Sequence, residues 1–389
     1  MVKIMEDFTR EKKRINLKVS PLLIGIVSVM LVVIVFAIVV FQYSNRCFTG
    51  YNVLNKIKRN DSNTAEYLNY NGNLLKYSRD GASAIDSSGN VLWNGGYEME
   101  RPQVDICGDY VAIADIGGKD FYVYNGSDSG TKMEMPLPIV KIRVAAQGVV
   151  AVLMQEEESN VINIYNPYSS ANPLLVEVPT NISDDGYPMD FDISDDGNSL
   201  VTSFLTVTNG TIDNKVSFYN FTDVGQDKNR LVGGKKYGEN MIFHVSFLSN
   251  DKVAIFTQDG FSVFKDMKRP EEVCAKTFDK EIKSIAYDDE SIAVIENSNE
   301  DKLPLHIFDT SGHETVQTEI DYKYDSLELY EGELIFSSNQ SCNIVRVNGR
   351  EKFNFTYDRT IRFFLPTNKN GRYFLIDDNK IEQIKLSGS

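Results

Sequence analysis

Two patterns of hydrophobic and polar positions divide the sequence into a short N-terminal part and a long remainder. The first is an apolar run, PLLIGIVSVMLVVIVFAIVVF, from Pro21 to Phe41, and no residue ionises between Lys18 and Arg46. As a helix, these 21 residues would span about 32 Å, close to the hydrocarbon thickness of a bilayer. A buried core helix of this length would carry a polar stripe, and a signal peptide would end at a small-residue cleavage site. The run therefore predicts an uncleaved transmembrane helix over residues 21–43.

The charges on either side of this run predict its orientation. Residues 1–20 hold six Lys and Arg and three Asp and Glu, whereas the fifteen residues after the run offer only Arg46 and Lys56 as cations. The positive-inside rule then places residues 1–20 in the cytoplasm as a short tail. The sequence thus predicts a single-pass protein of the cell membrane, anchored in the lipid bilayer, with an extracytoplasmic C-terminal domain.

The second pattern is a repeated pair of short apolar strands that begins after residue 65. The first strand of each pair has an apolar centre, as in VAIA at Val111, and the second ends on an aromatic residue and a turn former, as in YVYN at Asn125. Eight copies of the first strand begin at Leu74, Val111, Val149, Leu200, Val253, Ile292, Leu334 and Phe374. Their mean spacing, about 43 residues, is typical of a four-stranded propeller blade.

Each pair is flanked by further short β runs, such as IVKIRVA upstream and LLVEV downstream, so the unit has four strands. Radial closure of eight such units explains the period better than an array of two-sheet sandwiches. The sequence therefore predicts an all-β propeller over residues 65–389, with eight blades favoured over seven. The last copy lacks a fourth strand, and YNVLNKIK, Tyr51–Lys58, has no partner of its own. We expect residues 44–64 to form a linker and a strand that closes the ring, which would remove two exposed edges.

Composition and charge support this fold and exclude some partners. The 20 Tyr and 22 Phe favour strands. The chain has a net charge of −15, and since residues 1–20 carry +3, the remainder carries −18. An acidic domain is a poor nucleic-acid binder, so no nucleic-acid partner is expected. The four Cys, at 47, 107, 274 and 342, have neither metal-site spacing nor the density of a disulfide framework.

Few residues suggest catalysis or cofactor binding. His244, His306 and His313 lie in different repeats without ligand spacing, and no GxSxG surrounds a nucleophile. The carboxylates of MDFDISDDGNS, from Asp190 to Asp196, begin like a calcium loop, but Ser203 stands where the loop needs a Glu. We therefore interpret SDDG as a tight turn between strands. No catalytic residue, metal site or cofactor is predicted.

The largest departures from the period lie in the fourth repeat, at residues 206–214 and 223–238. Both segments are polar and Gly-rich, and the second is locally basic on an otherwise acidic domain. Growth of a surface loop costs little free energy, so these insertions alone do not require a function. Their charge contrast nevertheless favours an acidic protein or an anionic wall polymer as partner. The candidate partner-binding residues are Lys228, Arg230, Lys235 and Lys236.

Several stretches carry a family resemblance. They include LLKYSRDGASAIDSSGNVLW, RPQVDICGDYVAIAD, GYPMDFDISDDGNSLVTSF and VSFYNF. Over residues 51–389 the chain resembles an uncharacterised family of single-pass, membrane-anchored β-propellers from Clostridia and related Gram-positive bacteria. SDDG departs slightly from the SPDG turn of related WD40 and TolB propellers. AIDSSGNVLW is similar to a quinoprotein repeat, but it is one residue short and contains the only Trp, Trp93, so no quinone is expected.

The resemblance implies a propeller without an assigned activity and carries over no functional residues. With a rigid domain, a tether and no convergent catalytic group, the sequence favours a non-enzymatic binding or scaffolding module for a cell-envelope protein or wall polymer. The alternative is an enzyme that processes envelope glycans or peptides with carboxylates in the propeller channel.

Overall fold

The structure is a computed structural model that describes residues 21–62, 64–126, 129–155, 160–178, 180 and 182–388. The chain divides into two compact units, Met1–Arg46 and Cys47–Ser389. The predicted cytoplasmic tail, residues 1–20, lies outside the described residues, so its location stays a prediction.

In the described residues of the first unit, a helix, α1, runs over Pro21–Ser44. Its side chains are described at residues 25, 26, 28–38, 41 and 42. Large apolar side chains along it are well exposed, including Val29 at 65% and Phe36 at 69%. Judged on the described residues alone, no helix combines the length and the apolar character needed to cross a membrane.

The second unit is built from short strands. In chain order they are β1 (Gly50–Lys58), β2 (Glu66–Tyr70), β3 (Asn73–Ser78), β4 (Gly81–Ile85), β5 (Val91–Gly96), β6 (Pro102–Cys107), β7 (Tyr110–Asp115), β8 (Asp120–Tyr124), β9 (Thr131–Glu134), β10 (Ile139–Val144), β11 (Val150–Gln155), β12 (Asn160–Tyr165), β13 (Leu174–Val178), β14 (Tyr187–Ile193), β15 (Ser199–Thr208) and β16 (Thr211–Asn220). They continue as β17 (Leu231–Gly238), β18 (Ile242–Ser249), β19 (Lys252–Thr257), β20 (Gly260–Lys265), β21 (Glu271–Thr277), β22 (Ile282–Tyr287), β23 (Ser291–Glu296), β24 (Leu303–Asp309), β25 (Glu314–Ile320), β26 (Ser326–Tyr330), β27 (Glu333–Ser337), β28 (Ser341–Arg346), β29 (Glu351–Thr356), β30 (Phe363–Pro366), β31 (Arg372–Ile376) and β32 (Lys380–Ser387). A short helix, α2 (Ile182–Asp185), and a 3-10 helix (Asp223–Lys228) connect strands of this unit.

Over the described residues these strands form eight antiparallel sheets of four strands each. Consecutive sets of four, from β2–β5 to β26–β29, make blades one to seven, and β30, β31, β32 and β1 make blade eight. The predicted eight-bladed propeller is confirmed, and the seven-bladed alternative is wrong.

The hydrophobic core lies between the blades. Each apolar cluster of the described residues joins two neighbouring sheets, from blades one and two to blades eight and one. The second and third strands supply most of it, and Val111 to Ala114 of blade two are fully buried. Because both faces of these strands are covered, they read as continuous apolar runs in the sequence.

Strand β1 completes blade eight by pairing antiparallel with β32. Tyr51 faces Leu386, Ile57 faces Ile381, and a bulge lies between Val53 and Asn55. Ile57 also packs into the core between blades eight and one. The fourth strand of the last blade therefore comes from the N-terminal end of the domain.

The first strands of the blades lie at the centre of the ring, because those of blades two to five contact one another in turn, as do those of blades six and seven and of blades eight and one. We name the two ends of the propeller by these inner strands. The connection face is where each inner strand begins, and the turn face is where it ends. Strand β1 begins at the turn face, because Gly50 pairs there with Ser387 at the end of β32. The backbone amide of Leu386 donates to the carbonyl of Gly371, which lies in the turn after β30.

Candidate functional site

Charged side chains recur at one register position of the inner strands. Asp105 faces Ala112 in blade two, Arg143 faces Ala151 in blade three, and Asp192 faces Val201 in blade four. The Arg143 guanidinium lies between the two carboxylates, with Nη1 3.3 Å from Asp105 Oδ1 and Nε 3.3 Å from Asp192 Oδ1. Radial closure has therefore brought together residues from three separate repeats.

A second layer of polar side chains lies nearer the connection face. The Lys141 ammonium forms an ion pair with Asp190 of the next blade. His244 Nδ1 is 2.7 Å from Asp190 Oδ2, and its Nε2 is 2.6 Å from the hydroxyl of Tyr287. Because an ionised carboxylate only accepts hydrogen bonds, His244 donates to Asp190 through Nδ1, and its Nε2 shares the other hydrogen bond with the Tyr287 hydroxyl.

These carboxylates also tie each inner strand to the next. Asp105 accepts the backbone N–H of Val144 at 2.7 Å. Asp190 accepts that of Val245 at 3.0 Å, and Asp192 that of Phe247 at 2.8 Å. The oxygens of the channel wall are thus largely occupied by structural bonds between blades.

Burial and neighbouring charges separate the pKa values of these carboxyl groups. Burial raises the pKa of Asp105 to about 6, although Arg143 opposes the shift. Burial also raises the pKa of Asp192. Burial acts in the same direction on Asp190, but the hydrogen bond from His244 and the charge of Lys141 outweigh it and lower the pKa to about 2. The wall therefore combines a firmly ionised carboxylate with two that gain protons more readily.

Glu328 occupies the same register position in blade seven, where it faces Ile335. Burial alone raises the pKa of Glu328 to about 7. Within the part of the chain that the structure describes, the side chain of Glu328 has no hydrogen bond or ion pair. It is the one carboxyl group of this register position, among the described residues, that is not tied to a neighbouring blade.

A bulge recurs at the start of four consecutive inner strands. The register shifts at Val140, Met189, Phe243 and Lys283, in blades three to six. An extra residue in a strand is left unpaired and turns its side chain outward. The apolar side chains at these bulges are accordingly exposed, by 39% at Val140, 50% at Met189 and 44% at Phe243.

Tyr187 and Met241 are also exposed, by 51% and 42%, beside these bulges on the connection face. We call the resulting set the mouth patch, and it consists of Val140, Tyr187, Met189, Met241 and Phe243. Exposed large apolar side chains elsewhere in the described propeller lie singly, as Leu175 does, or in pairs, as Val53 and Leu54 do. A cluster at the mouth of the channel is the kind of surface that binds a partner.

Residues 206–214, which the sequence marks as a polar insertion, form the tip of a long hairpin. Strands β15 and β16 have 10 residues each, and their turn is Asn209–Gly210. Because Tyr187 pairs with Leu205, this tip projects from the connection face, beside the mouth patch. Val207 and Ile212 face each other there and are exposed by 61% and 38%. The tip thus adds apolar surface that the polar sequence did not suggest.

The segment 223–238 is more regular than a loop. It comprises the 3-10 helix and β17, the outer strand of blade four. Lys235 pairs with Glu272 of blade five at 2.5 Å and lies over the Tyr237 ring, whereas Lys236 is exposed. Arg230 donates to the carbonyl of Phe221 at 3.3 Å, and the side chain of Lys228 lies outside the described residues. A shallow groove of about 440 Å³ runs along Gly233, Gly234 and the two lysines. The structure does not bring the four predicted cations together into one loop.

Two other motifs have structural roles. The SDDG segment is a turn, as the sequence indicated, because Asp196 accepts the hydroxyl of Ser194 at 2.6 Å and the amide of Asn198 at 3.0 Å. Trp93 stacks on Tyr124 of the next blade, with ring centroids 4.6 Å apart. In the described ranges no group of three or more His, Cys, Asp or Glu side chains is arranged to hold a metal ion.

Sequence reasoning missed the inner-strand residues. Lys141, Arg143 and Glu328 stand within short β runs, IVKIRV and SLELY, that the sequence indicates only as flanking strands, and His244 is considered only as a histidine without ligand spacing. The available signal was a charged residue six positions before the VAIA-like strand in three of the eight repeats, at Asp105, Arg143 and Glu328. From the sequence, His306 is expected to be an ordinary strand residue. In the structure its ring lies between Glu296 and Glu314, with nitrogen–oxygen distances of 2.8 and 2.6 Å.

The ring of four-stranded sheets and the charged wall of its channel define the chain as a β-propeller with eight blades over the described residues. More particularly, the chain belongs to a family of unknown function, DUF5711, whose model matches residues 44–386. A comparison with curated protein sequences gives no significant match.

Solved structures share the fold. The chain is similar to BamB from Moraxella catarrhalis, with a TM-score of 0.55 and 12% identity over 86% of this chain and 100% of that one. It is also similar to Sqt1 of Chaetomium thermophilum, bound to the N-terminus of ribosomal protein L10, with a TM-score of 0.53 and 11% identity over 82% of this chain and 94% of that one. Dipeptidyl peptidase 4 of Porphyromonas gingivalis has a TM-score of 0.56 and 11% identity over 85% of this chain and 58% of that one. At these identities the likeness concerns the fold alone.

Proposed function

We propose that this protein is a membrane-anchored, extracytoplasmic propeller that binds or scaffolds a partner in the cell envelope through its connection face. The observation that carries the proposal is the mouth patch, where Met189 is 50% and Phe243 44% exposed at adjacent inner strands. Exposed apolar side chains of this size cost free energy in water, and a partner that covers them recovers about 25 cal/mol per Å².

A binding role also agrees with the state of the channel wall. Asp105, Asp190 and Asp192 are held by backbone amides of the following blade. Carboxylates that accept these structural hydrogen bonds have few oxygen lone pairs left for a substrate. A rigid scaffold with one apolar face suits recognition, because little order is lost when the partner binds.

The proposed anchor is the uncharged run Pro21–Phe41, preceded by six cationic residues. We expect a protease added to intact cells to digest the propeller and to spare an epitope placed before residue 20. Permeabilised cells serve as the control, because there both parts become accessible. Protection of the propeller in intact cells would overturn this orientation.

Blade four offers a second proposed contact, for an anionic wall polymer. Lys236 is exposed beside the groove at Gly233 and Gly234, and Lys215 lines the same groove. Cations on a domain of strongly negative net charge orient an anionic ligand, with an effect that salt screens. Of the four predicted basic residues, Lys236 is therefore the one on which we place this contact.

Photocrosslinking in living cells tests the proposal. A photoreactive residue replaces Phe243 in the mouth patch, Lys236 in the groove, or Leu175 as a control of similar exposure on the outer strand of blade three. We expect one discrete adduct from Phe243 and none from Leu175. Adducts from Lys236 alone would move the site to blade four, and equal labelling from all three positions would contradict a specific partner.

Glu328 favours a second candidate function, an enzyme that processes envelope glycans or peptides. A carboxyl group whose pKa lies at about 7 and that has no partner among the described residues could transfer protons near neutral pH. Loss of turnover of cell-wall fragments in Glu328→Gln, with crosslinking from Phe243 unchanged, would support the enzyme. Unchanged turnover, or none in the native protein, would contradict it.

A further inference from the structure

The surroundings of the mouth patch indicate the chemistry of its occupant, if the proposed binding function is right. Three connections, 239–241, 258–259 and 278–281, lie on the connection face beside Phe243, and the first of them contains Met241. The backbone amide of Gln258 donates to the carbonyl of Met241 at 2.9 Å, and the backbone amide of Ile282 donates to the carbonyl of Gln258 at 2.8 Å. These hydrogen bonds hold the three connections together as one surface beside the apolar side chains.

This surface is acidic. The three connections contain Glu239, Asp259, Asp279 and Glu281 against one cation, Lys280, and the exposed Lys283 at the bulge of blade six adds a second cation beside them. A shallow groove of about 340 Å³ continues it, bounded by residues 279–281 and 297–299. The groove and the apolar side chains therefore form two adjoining surfaces of different chemistry.

The net charge of the whole chain also favours a cationic partner. With a net charge of −15, the protein attracts cationic partners and repels anionic ones before contact. An anionic wall polymer has no large apolar groups to cover Met189 and Phe243, and it would meet Asp279 and Glu281 unfavourably. A basic protein segment satisfies both surfaces.

We propose that the occupant of the mouth patch is a protein segment in which large apolar side chains adjoin Lys or Arg. The apolar side chains cover Met189, Met241 and Phe243, and the cations lie along the groove by Asp279 and Glu281. Apolar burial supplies most of the affinity, and the carboxylates select the sequence and orientation of the segment.

Selection from a display library of short random peptides tests this proposal. The full-length protein is purified in detergent, and binders of the Met189→Asp, Phe243→Asp double variant are removed beforehand. We expect the enriched peptides to share an aromatic or aliphatic residue next to Lys or Arg. A synthetic consensus peptide, labelled with a fluorophore, should lose about tenfold or more in affinity on the double variant.

Matched variants separate the two surfaces. Leu175→Asp, at an equally exposed apolar residue of an outer strand, should leave the affinity of the consensus peptide unchanged. Asp279→Asn with Glu281→Gln should lower it about threefold to tenfold and should reduce its dependence on salt. The fluorescence of Trp93 and the melting temperature show whether each variant is folded.

The proposal is overturned if the consensus lacks basic residues, if acidic peptides are selected, or if no peptide depends on the mouth patch. Crosslinking from Phe243 in cells together with a consensus free of Lys and Arg would leave the binding function standing and refute only this ligand class. A basic, patch-dependent consensus without crosslinks in cells would contradict the envelope partner instead.

Discussion

Tyr51, in the first strand of the propeller, pairs with Leu386, in the last. The ring is thus closed by backbone hydrogen bonds between opposite ends of the domain, and Ile57 of the same strand packs between blades eight and one. Such closure covers two strand edges that would otherwise be open to association with other chains.

We expect deletion of residues 50–58 to lower the free energy of unfolding of the propeller by about 4 kcal/mol or more, because β32 loses its partner and the core beside Ile57 opens. Thermal unfolding followed by circular dichroism measures the change. Leu54→Ala, at a side chain that is 45% exposed in the same strand, is the control and should change the melting temperature little. An unchanged melting temperature in the deletion would show that β1 does not close the ring.

Trp93 should report on the contact between blades one and two. Its side chain is 1% exposed and stacks on Tyr124 with an interplanar angle of 11°. We expect Trp93→Ala to cost about 3–5 kcal/mol of stability, whereas Val91→Ala on the same strand should be nearly neutral. Because Trp93 is the only Trp, its emission should shift to longer wavelength as this interface opens. A red-shifted emission in the native protein would contradict the buried stack.

Glu382 should stabilise the closed ring in a pH-dependent way. Its side chain is 2% exposed and forms ion pairs with Lys56 of β1 at 3.0 Å, with Lys380 at 2.8 Å, and with Arg359. Burial alone would raise the pKa of Glu382, but the hydrogen bonds from Lys380 and Lys56 and the charge of Arg359 outweigh it, so the pKa is lowered.

A carboxyl group with a lowered pKa in the folded state contributes stability above its unfolded pKa, 4.5, and loses that contribution as the pH falls. We therefore expect Glu382→Gln to cost about 2–4 kcal/mol at neutral pH, and the difference from the native protein to shrink below about pH 4.5. Glu319→Gln, in an exposed ion pair with Lys302, should have almost no effect. Urea unfolding at several pH values measures both, and a difference that is independent of pH would contradict the role of Glu382.

The contribution of Glu328 to stability should depend on pH in the opposite direction to that of Glu382. Burial raises the pKa of Glu328 from 4.5 to about 7, so the folded state binds a proton more readily than the unfolded state. Stability then falls as the pH rises from about 4.5 to 7. We expect Glu328→Gln to be about 1–3 kcal/mol more stable than the native protein at pH 8 and similar to it near pH 4. Urea unfolding at both pH values tests this, and a Gln variant less stable at pH 8 would show that the carboxylate has a partner.

The repeats in the sequence were sufficient to predict the propeller and its eight blades. A strand such as Val111–Ala114 is buried on both faces, so its residues are apolar wherever it occurs, and its period along the chain is visible without any tertiary contact. The stretch Tyr51–Lys58, left over by the same period, lies in the last blade of the structure.

The candidate site was not predictable in this way. Arg143 meets Asp105 and Asp192 only because three blades converge, and no local pattern states which residues of neighbouring repeats will be in contact. The sequence predicts that LVGGKKYG belongs to a polar insertion, because the fourth repeat departs there from the period, yet the segment is the outer strand of blade four. An edge strand there needs only backbone bonds to β16, which any side chain permits.

The sequence by itself determined which residues form strands and how many blades they make, because alternation and period depend on neighbours along the chain. Tertiary structure alone decided which polar side chains share the channel and where bulges expose Val140, Met189 and Phe243. Those outcomes depend on the register of strands from different repeats and on the crowding of inner strands around the axis. Both are properties of the closed ring and not of any single repeat.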